Sequence, residues 1–305
     1  MTKQLLEKPV VAVVFATMNR SGTALACVNA IASQSVPPAF VVVADNVSTD
    51  DTAERLLALK NLPFDFTVHR MTENRGNAGG VEEAMEIAFS KGADAVWILD
   101  DDSWPRPGAL EAMLEDPYDD STVLHPIQID PKSGKFTWPL QIFHEGKWGL
   151  VFSMDDMPPG KQTKSRGVWT GALISKKIRD AIGPVRGELF IRGEDEEYPW
   201  RMEQSGFPHA AVHNAVLDHP GPSDIVHWEF LGKHFFFEYG LADWKLYYKI
   251  RNMVWLKLQQ SGAIKALSVA CAYAIACCRF DGFSRIPLIF RAARDGWKGR
   301  LGKMP

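Results

Sequence analysis

The chain has 305 residues, 46% hydrophobic and 23% charged, a mixture that excludes wholesale disorder, collagen-like repeats and an extended coiled coil. Its 34 basic and 37 acidic residues leave a formal net charge of -3, so there is no general attraction to nucleic acid and none is expected as a partner. The length fits about two domains, or one large α/β domain with an appendage.

In chain order, Val10–Ala16 is apolar at every position, as in a strand buried on both faces. Asn19-Arg20 follow it with no small-residue cleavage site, which argues for a strand over a secretory signal. Ser21 is expected to cap a helix carrying Leu25, Val28 and Ile31. Phe40–Ala44 reads as a second buried strand, ending in Asp45-Asn46-Val47-Ser48-Thr49-Asp50-Asp51, and a helix through Leu56 to Lys60 follows. Phe66–His69 is a short strand, Asn74–Gly80 a glycine-rich loop, and Val81 to Lys91 has helical apolar spacing. Ala95–Leu99 is a further strand that runs into Asp100-Asp101-Asp102. This alternation predicts an α/β fold with a mostly parallel central sheet, right-handed crossovers and flanking helices. Ligands of such sheets sit beyond the carboxyl ends of the strands, where Asp45, Asn74 and Asp100–Asp102 fall.

From about residue 120 the rhythm changes to short strands with Gly and Pro turns over Thr122 to Ser153, then a strand in Val168–Ser175 and a helix to Ile182. Gly193–Gly206 is expected to be helical, Ala210–Asp218 a strand, and the chain from Asp243 onward helical with interleaved Trp, Tyr, Lys and Arg. Cys27, Cys271, Cys277 and Cys278 form no Cys-x-x-Cys pair and read as reduced, packed thiols of a cytosolic protein. No uninterrupted apolar run reaches the ~18–20 residues needed to span a bilayer. Ala263–Cys278, apolar apart from Lys265 and Ser268, suits an interfacial or buried helix, and the basic, aromatic segment after it favours an anionic lipid surface.

Three adjacent carboxylates at a strand end repel one another, and a hard divalent cation with oxygen ligands removes that cost. In an extended chain Asp100 and Asp102 point the same way, so one can hold a sugar hydroxyl while the other binds a metal that bridges a diphosphate. Asp45 can accept hydrogen bonds from a base or ribose, and Gly76, Gly79 and Gly80 let the backbone approach a ligand. In Glu194-Asp195-Glu196-Glu197, Glu197 is expected to form a surface pair with Arg201, leaving Asp195 or Glu194 to face a cleft as general base. His219, in Asp218-His219-Pro220-Gly221-Pro222, can add a nitrogen ligand to an oxygen-rich Mn2+ or Mg2+ site, with His213 as a rival.

Taken as an ordered set, Thr17-Met18-Asn19-Arg20, Asp45 to Asp50, Asn74 to Gly80, Asp100-Asp101-Asp102, Trp169-Thr170-Gly171-Ala172 and Glu194-Asp195 resemble family-2 inverting glycosyltransferases of GT-A fold. Leu189 to Asp195, Ser205-Gly206 and Asp218-His219-Pro220 look most like bacterial galactofuranosyltransferases, and Tyr248-x-x-Arg251-Asn252 is similar in that group and in rhamnosyltransferases. The resemblance implies that Thr17, Arg20, Asp45 and Asn74 line a uridine pocket, and that Asp100 and Asp101 serve the donor. It further implies that Asp102 and His219 ligate Mn2+ or Mg2+, that Trp169 shapes the sugar and acceptor pocket and that Asp195 is the catalytic base. Met18, where an aromatic is frequent, and Glu196, in place of an apolar residue, depart from the pattern. The implied reaction is metal-dependent, inverting transfer of galactofuranose from a UDP-sugar donor to a polyprenyl-diphosphate-linked glycan in cell-envelope assembly. The protein is then expected to be cytoplasmic and peripheral on the inner face of the cell membrane. Residues 1–240 would form the GT-A domain and 241–305 a helical, membrane-proximal region. The alternatives are a rhamnosyltransferase using a dTDP-sugar and a non-catalytic glycan- or nucleotide-binding module.

Overall fold

A computed structural model describes residues 8–115, 118–222, 225–230 and 233–304. The chain divides into two compact units: residues 1–185 with 198–221, and residues 186–197 with 222–305. The boundary expected at 240 therefore falls inside the second unit.

In the first unit, strands β1 (Val11–Thr17), β2 (Phe40–Asp45), β3 (Asp65–Arg70) and β4 (Ala95–Ile98) alternate with helices α1 (Ser21–Ala32), α2 (Thr52–Leu57) and α3 (Gly76–Ser90). β3, β2, β1 and β4 lie side by side and parallel, as the apolar rhythm predicts. The continuous apolar run of β1 is explained by its two covers. Val11, Val13 and Phe15 share a core with Cys27, Val28 and Ile31 of α1. On the other face α3 packs against β1, so closely that a Cβ on Gly80 would lie 2.7 Å from the Cβ of Ala16.

The chain continues through β5 (Trp104–Pro105), α4 (Ala109–Met113), β6 (Val123–Ile129), β7 (Leu140–His144), β8 (Lys147–Val151), β9 (Gln162–Ser165), β10 (Leu173–Ser175), α5 (Lys176–Ile182), α6 (Glu194–Gln204) and β11 (His209–Asp218). β10 enters antiparallel between β4 and β6, β11 pairs parallel to β6, and β9, β7 and β8 extend the sheet antiparallel. The change of rhythm after residue 120 thus marks the antiparallel part of one large sheet with flanking helices.

Two local expectations change. Ser21 is the first residue of α1 rather than its cap; Arg20 holds the cap position without a side-chain hydrogen bond. The glycine-rich segment is largely helix, since α3 begins at Gly76. The Gly76 amide donates to Asn74 Oδ1 at 2.9 Å, and the left-handed Gly76 (φ 69°) carries the chain into the first turn.

The second unit contains the hairpin β12 (Ile225–Phe230) and β13 (Lys233–Glu238), followed by α7 (Asp243–Ser261), α8 (Ala263–Phe280) and α9 (Ile286–Trp297). Leu246, Tyr247, Ile250, Cys277, Ile289 and Ala292 form the middle of its core. All four cysteines are free, but Cys271 is exposed rather than packed. By length and composition α8 is apolar enough to cross a membrane, yet only 17% of it is buried, so it is not the buried helix that its composition also allowed.

Candidate active site

The carboxyl ends of β1, β2 and β4 bring the expected donor residues into one unit. Asp45 closes β2 and is fully buried; the Ser48 amide donates to its Oδ1 at 3.1 Å, and Arg70 Nε lies 3.6 Å from its Oδ2. Asn46 was missed by sequence reasoning. Its amide donates to the Gly76 carbonyl at 2.6 Å and its Oδ1 accepts the Arg75 amide at 2.9 Å, so it ties the end of β2 to the start of α3. Asn74 is half-buried there, with Nδ2 3.1 Å from Met18 Sδ. Between these ties Val47, a β-branched residue, holds a left-handed φ of 63°.

Asp100, Asp101 and Asp102 do not continue β4 as an extended chain. They form a turn closed by the Ser103 amide donating to the Asp100 carbonyl at 3.0 Å, with Ser103 Oγ accepting the Asp100 amide at 3.0 Å. The turn still separates the carboxylates as strand alternation predicted. Asp101 points inward, accepting from Thr17 Oγ1 at 2.7 Å and pairing with Arg20 Nη1 at 2.8 Å. Asp102 pairs with Arg20 Nη2 at 2.6 Å and lies 3.5 Å from His219 Nε2. Asp100 Oδ2 accepts from Thr170 Oγ1 at 2.5 Å, a partner the sequence did not single out although it adjoins Trp169. Trp169 itself is buried edge-to-face against Tyr198 at 6.0 Å, its indole N–H without a hydrogen-bond partner among the described residues.

Asp100, Asp102 and His219 each offer a ligand atom, and these atoms lie within 4.8 Å of one another. Two carboxylates and an imidazole suit Mn2+ or Mg2+. His219 is fixed by its backbone: its amide donates to the Ile129 carbonyl at 3.0 Å and its carbonyl accepts from Thr137 Oγ1 at 2.7 Å. Its Nδ1 is buried with no hydrogen-bond partner among the described residues, and Nε2 is the nitrogen that faces Asp102. His213 is engaged elsewhere, its Nε2 2.8 Å from Thr163 Oγ1, and does not join the cluster.

The charges divide unequally. Burial pushes the Asp101 carboxyl up to about 7 against the pull of Arg20 and the Thr17 hydroxyl. Burial also opposes ionisation of Asp102, but the His219 hydrogen bond and the charge of Arg20 outweigh it and hold this carboxyl well below the usual range. Burial disfavours the imidazolium of His219, yet the hydrogen bond to Asp102 and the charges of Asp100 and Asp102 raise its pKa overall. Asp102 is therefore the carboxylate kept charged, as a metal ligand must be.

The second acidic cluster, Glu194–Glu197, opens α6 and belongs to the second unit. Asp195 is exposed, and its Oδ1 accepts the Gly193 amide at 2.8 Å. Glu194 is 3% exposed and Glu197 2% exposed. Glu197, expected at the surface, is instead buried and paired with Arg186 Nε at 3.2 Å. Of the two residues, Asp195 is the exposed one and Glu194 the buried one.

A parallel α/β sheet that gathers Asp45, the Asp100–Asp102 turn and His219 at its strand ends is the arrangement of a GT-A glycosyltransferase. The glycosyl transferase family 2 profile matches residues 12–183, more than half of the chain, and the chain belongs to that family and is a glycosyltransferase. Among curated proteins it is 28% identical over 272 residues to galactofuranosyltransferase GlfT1 of Mycolicibacterium smegmatis, covering 85% of this chain and 86% of the relative. It is 27% identical over 204 residues to galactofuranosyltransferase GlfT1 of Mycobacterium tuberculosis, covering 64% of each. Among solved structures, it superposes on the mannosyltransferase PcManGT of Pyrobaculum calidifontis in complex with GDP-Man and Mn2+ with a TM-score of 0.54 at 16% identity, covering 96% of this chain and 88% of the other. The S. aureus TarS 1-349 complex with UDP-GlcNAc gives a TM-score of 0.54 at 15% identity, covering 94% and 80%. At these identities the structural neighbours establish the fold.

Proposed function

We propose that this glycosyltransferase moves galactofuranose from UDP-galactofuranose to a polyprenyl-diphosphate-linked glycan, with inversion at the anomeric carbon and dependence on Mn2+ or Mg2+. The observation that carries the reading is the cluster of Asp100, Asp102 and His219 at the strand ends. The choice of sugar is supported by the likeness to the GlfT1 proteins, which extends over most of the chain. Residues 1–240 are proposed to carry transfer and 241–305 to form a membrane-proximal region.

Asp102 and His219, with Asp100, would hold the cation, which when bound supplies positive charge for the departing diphosphate. Thr17, Arg20, Asp45 and Asn74 bind the nucleotide, Asp100 holds the ribose or the sugar side, Asp101 belongs to the donor site, and Trp169 shapes the sugar and acceptor pocket in this reading. Asp195 takes the proton of an acceptor hydroxyl as that oxygen bonds to the anomeric carbon. The bond from that carbon to the diphosphate breaks, UDP leaves with the electron pair, and a single displacement inverts the centre without a covalent enzyme intermediate. The exposed carboxylate of Asp195 supports this role.

The test is incubation with UDP-galactofuranose, a dTDP-rhamnose control, Mn2+ and a lipid-linked glycan extract, read by product mass. A galactofuranose increment is expected. A deoxyhexose increment instead, or transfer at the wild-type rate by Asp195→Asn, would overturn the donor or the base assignment respectively.

The protein is proposed to act at the inner face of the cell membrane, bound peripherally. α8 supports this with exposed Ile264, Leu267, Cys271 and Ile275 along one stripe, and α9 adds exposed Phe290 and Trp297.

A further inference from the structure

The turn that leads into Asp195 is strained. Phe190 (φ 67°) and Arg192 (φ 63°) are left-handed non-glycine residues, and Gly193 (φ 134°) follows them. Such a non-glycine residue is strained and persists only where its surroundings over-determine it. Here Tyr248 stacks on the Phe190 ring at 4.8 Å and Glu238 pairs with Arg192 at 2.6 Å, but the backbone carbonyls of the turn are gathered by the Asn252 side chain. The two N–H groups of the Asn252 side-chain amide are shared among the carbonyls of Leu189 at 2.8 Å, Ile191 at 3.0 Å and Arg192 at 2.5 Å. Asn252 is fully buried, and its Oδ1 is oriented by Arg251 Nε at 2.8 Å. Arg251, also buried, donates from Nη2 to the Leu189 carbonyl at 3.0 Å and from Nη1 to the Gly302 carbonyl at 2.5 Å. Gly193 leaves no room for a side chain, since a Cβ there would lie 2.8 Å from the Cβ of Asn252.

An ordinary helix start needs none of this. A cap residue and a free first turn would open α6 without left-handed residues and without a buried arginine. What the strained turn does achieve is orientation: Glu194 is buried while its neighbour Asp195 is exposed, with Oδ1 anchored on the Gly193 amide. We propose that Asn252, backed by Arg251, is a positioning residue for glycosyl transfer, which holds the Leu189–Gly193 turn and thereby aims the Asp195 carboxylate. The proposal rests on the reading of Asp195 as general base. It assigns a function to the Arg251-Asn252 dipeptide, whose side chains touch carbonyls of the turn and of the C-terminal tail.

The experiment is a double-mutant cycle of Asn252→Ala and Asp195→Asn, with kcat, acceptor KM, UDP affinity by calorimetry and thermal melting measured for each variant. Asn252→Ala is expected to lower kcat at least tenfold, with UDP affinity and acceptor KM within threefold of wild type. In the Asp195→Asn background it should lower kcat no further, because a carboxylate that is gone cannot be misaimed. Losses that multiply, or wild-type kcat in Asn252→Ala, would overturn the positioning role. Wild-type kcat in Asp195→Asn would instead overturn the base assignment beneath it. Should Asn252→Ala fail to fold, Asn252→Ser, whose shorter side chain with a single O–H cannot gather the three carbonyls, is put through the same cycle with the same criteria.

Discussion

Asp102 meets three groups at once: Arg20 at 2.6 Å, His219 at 3.5 Å and the ligand set it shares with Asp100. Asp102→Ala is therefore expected to weaken Mn2+ binding at least tenfold, measured by calorimetry with and without UDP; unchanged affinity would remove it from the ligand set. Two histidines outside this cluster give a pH prediction. His125 lies between the Pro126 carbonyl at 3.1 Å and Ser165 Oγ at 2.7 Å, and burial pulls its pKa down to about 4. Burial does the same to His209, also to about 4. Unfolded, both titrate near 6.5. Between these values only the unfolded chain takes up their protons. Their contribution to stability is thus complete above pH ~6.5 and is lost as pH falls toward ~4, at about 1.4 kcal/mol per pH unit for each proton. Over the same window the Asp101 carboxyl, raised to about 7, takes up a proton only in the folded chain and offsets one of the two, so denaturant unfolding should show a larger slope in Asp101→Asn than in wild type, and a flat profile in that variant would contradict neutral, buried imidazoles.

At the scale of elements, α7 and α9 approach so closely that a side chain at Gly296 would collide with the backbone carbonyl oxygen of Arg251. Backbone cannot swing aside as a side chain can. Gly296→Ala should lower the unfolding free energy by roughly 1–3 kcal/mol, the range for overpacked cores, seen as a reduced melting temperature. Because Arg251 also holds the turn before Asp195, the same variant is expected to lower kcat more than UDP affinity. Gly80→Ala makes the complementary case in the first unit, where a Cβ would lie 3.0 Å from Asn46 Nδ2 and 2.7 Å from Ala16. Displacing Asn46 loosens the link between β2 and α3, so weaker UDP binding with acceptor KM unchanged is expected from calorimetry and kinetics.

For the whole molecule, a net charge of -3 conceals a strongly basic end. Residues 279–303 hold seven basic and two acidic side chains, and both acids are turned inward: Asp281 pairs with Arg285 at 3.2 Å, and Asp295 accepts from the Tyr247 hydroxyl at 2.9 Å. The outward charge of this segment is therefore cationic, and the same unit exposes Ile264 at 88%, Ile275 at 71% and Phe290 at 71%. Binding to anionic vesicles is expected to weaken with added salt and to fall at least tenfold in an Ile264→Glu, Ile275→Glu variant. Co-sedimentation with phosphatidylglycerol vesicles checks this, and binding equal to wild type would remove α8 from the membrane surface.

How much of this could be read in advance follows from the range of the interactions. The parallel strands were legible because burial on both faces demands unbroken apolar runs, as in Val10–Ala16 and Phe40–Ala44, and local carboxylate clusters announced Asp100–Asp102. The antiparallel insertion of β10 between β4 and β6 was not, since strand order is set by pairings between distant residues that leave no local period. The same holds at the site. Strand-end position, loop context and family resemblance named Asp102 and His219, but their 3.5 Å approach, the hydroxyl of Thr170 on Asp100, and the burial of Glu194 beside an exposed Asp195 depend on contacts that no local pattern records. Residue chemistry and period are written locally and determined which groups were available. Which of them meet, and which face water, was decided only when the chain closed on itself, because packing and desolvation are properties of neighbours in space.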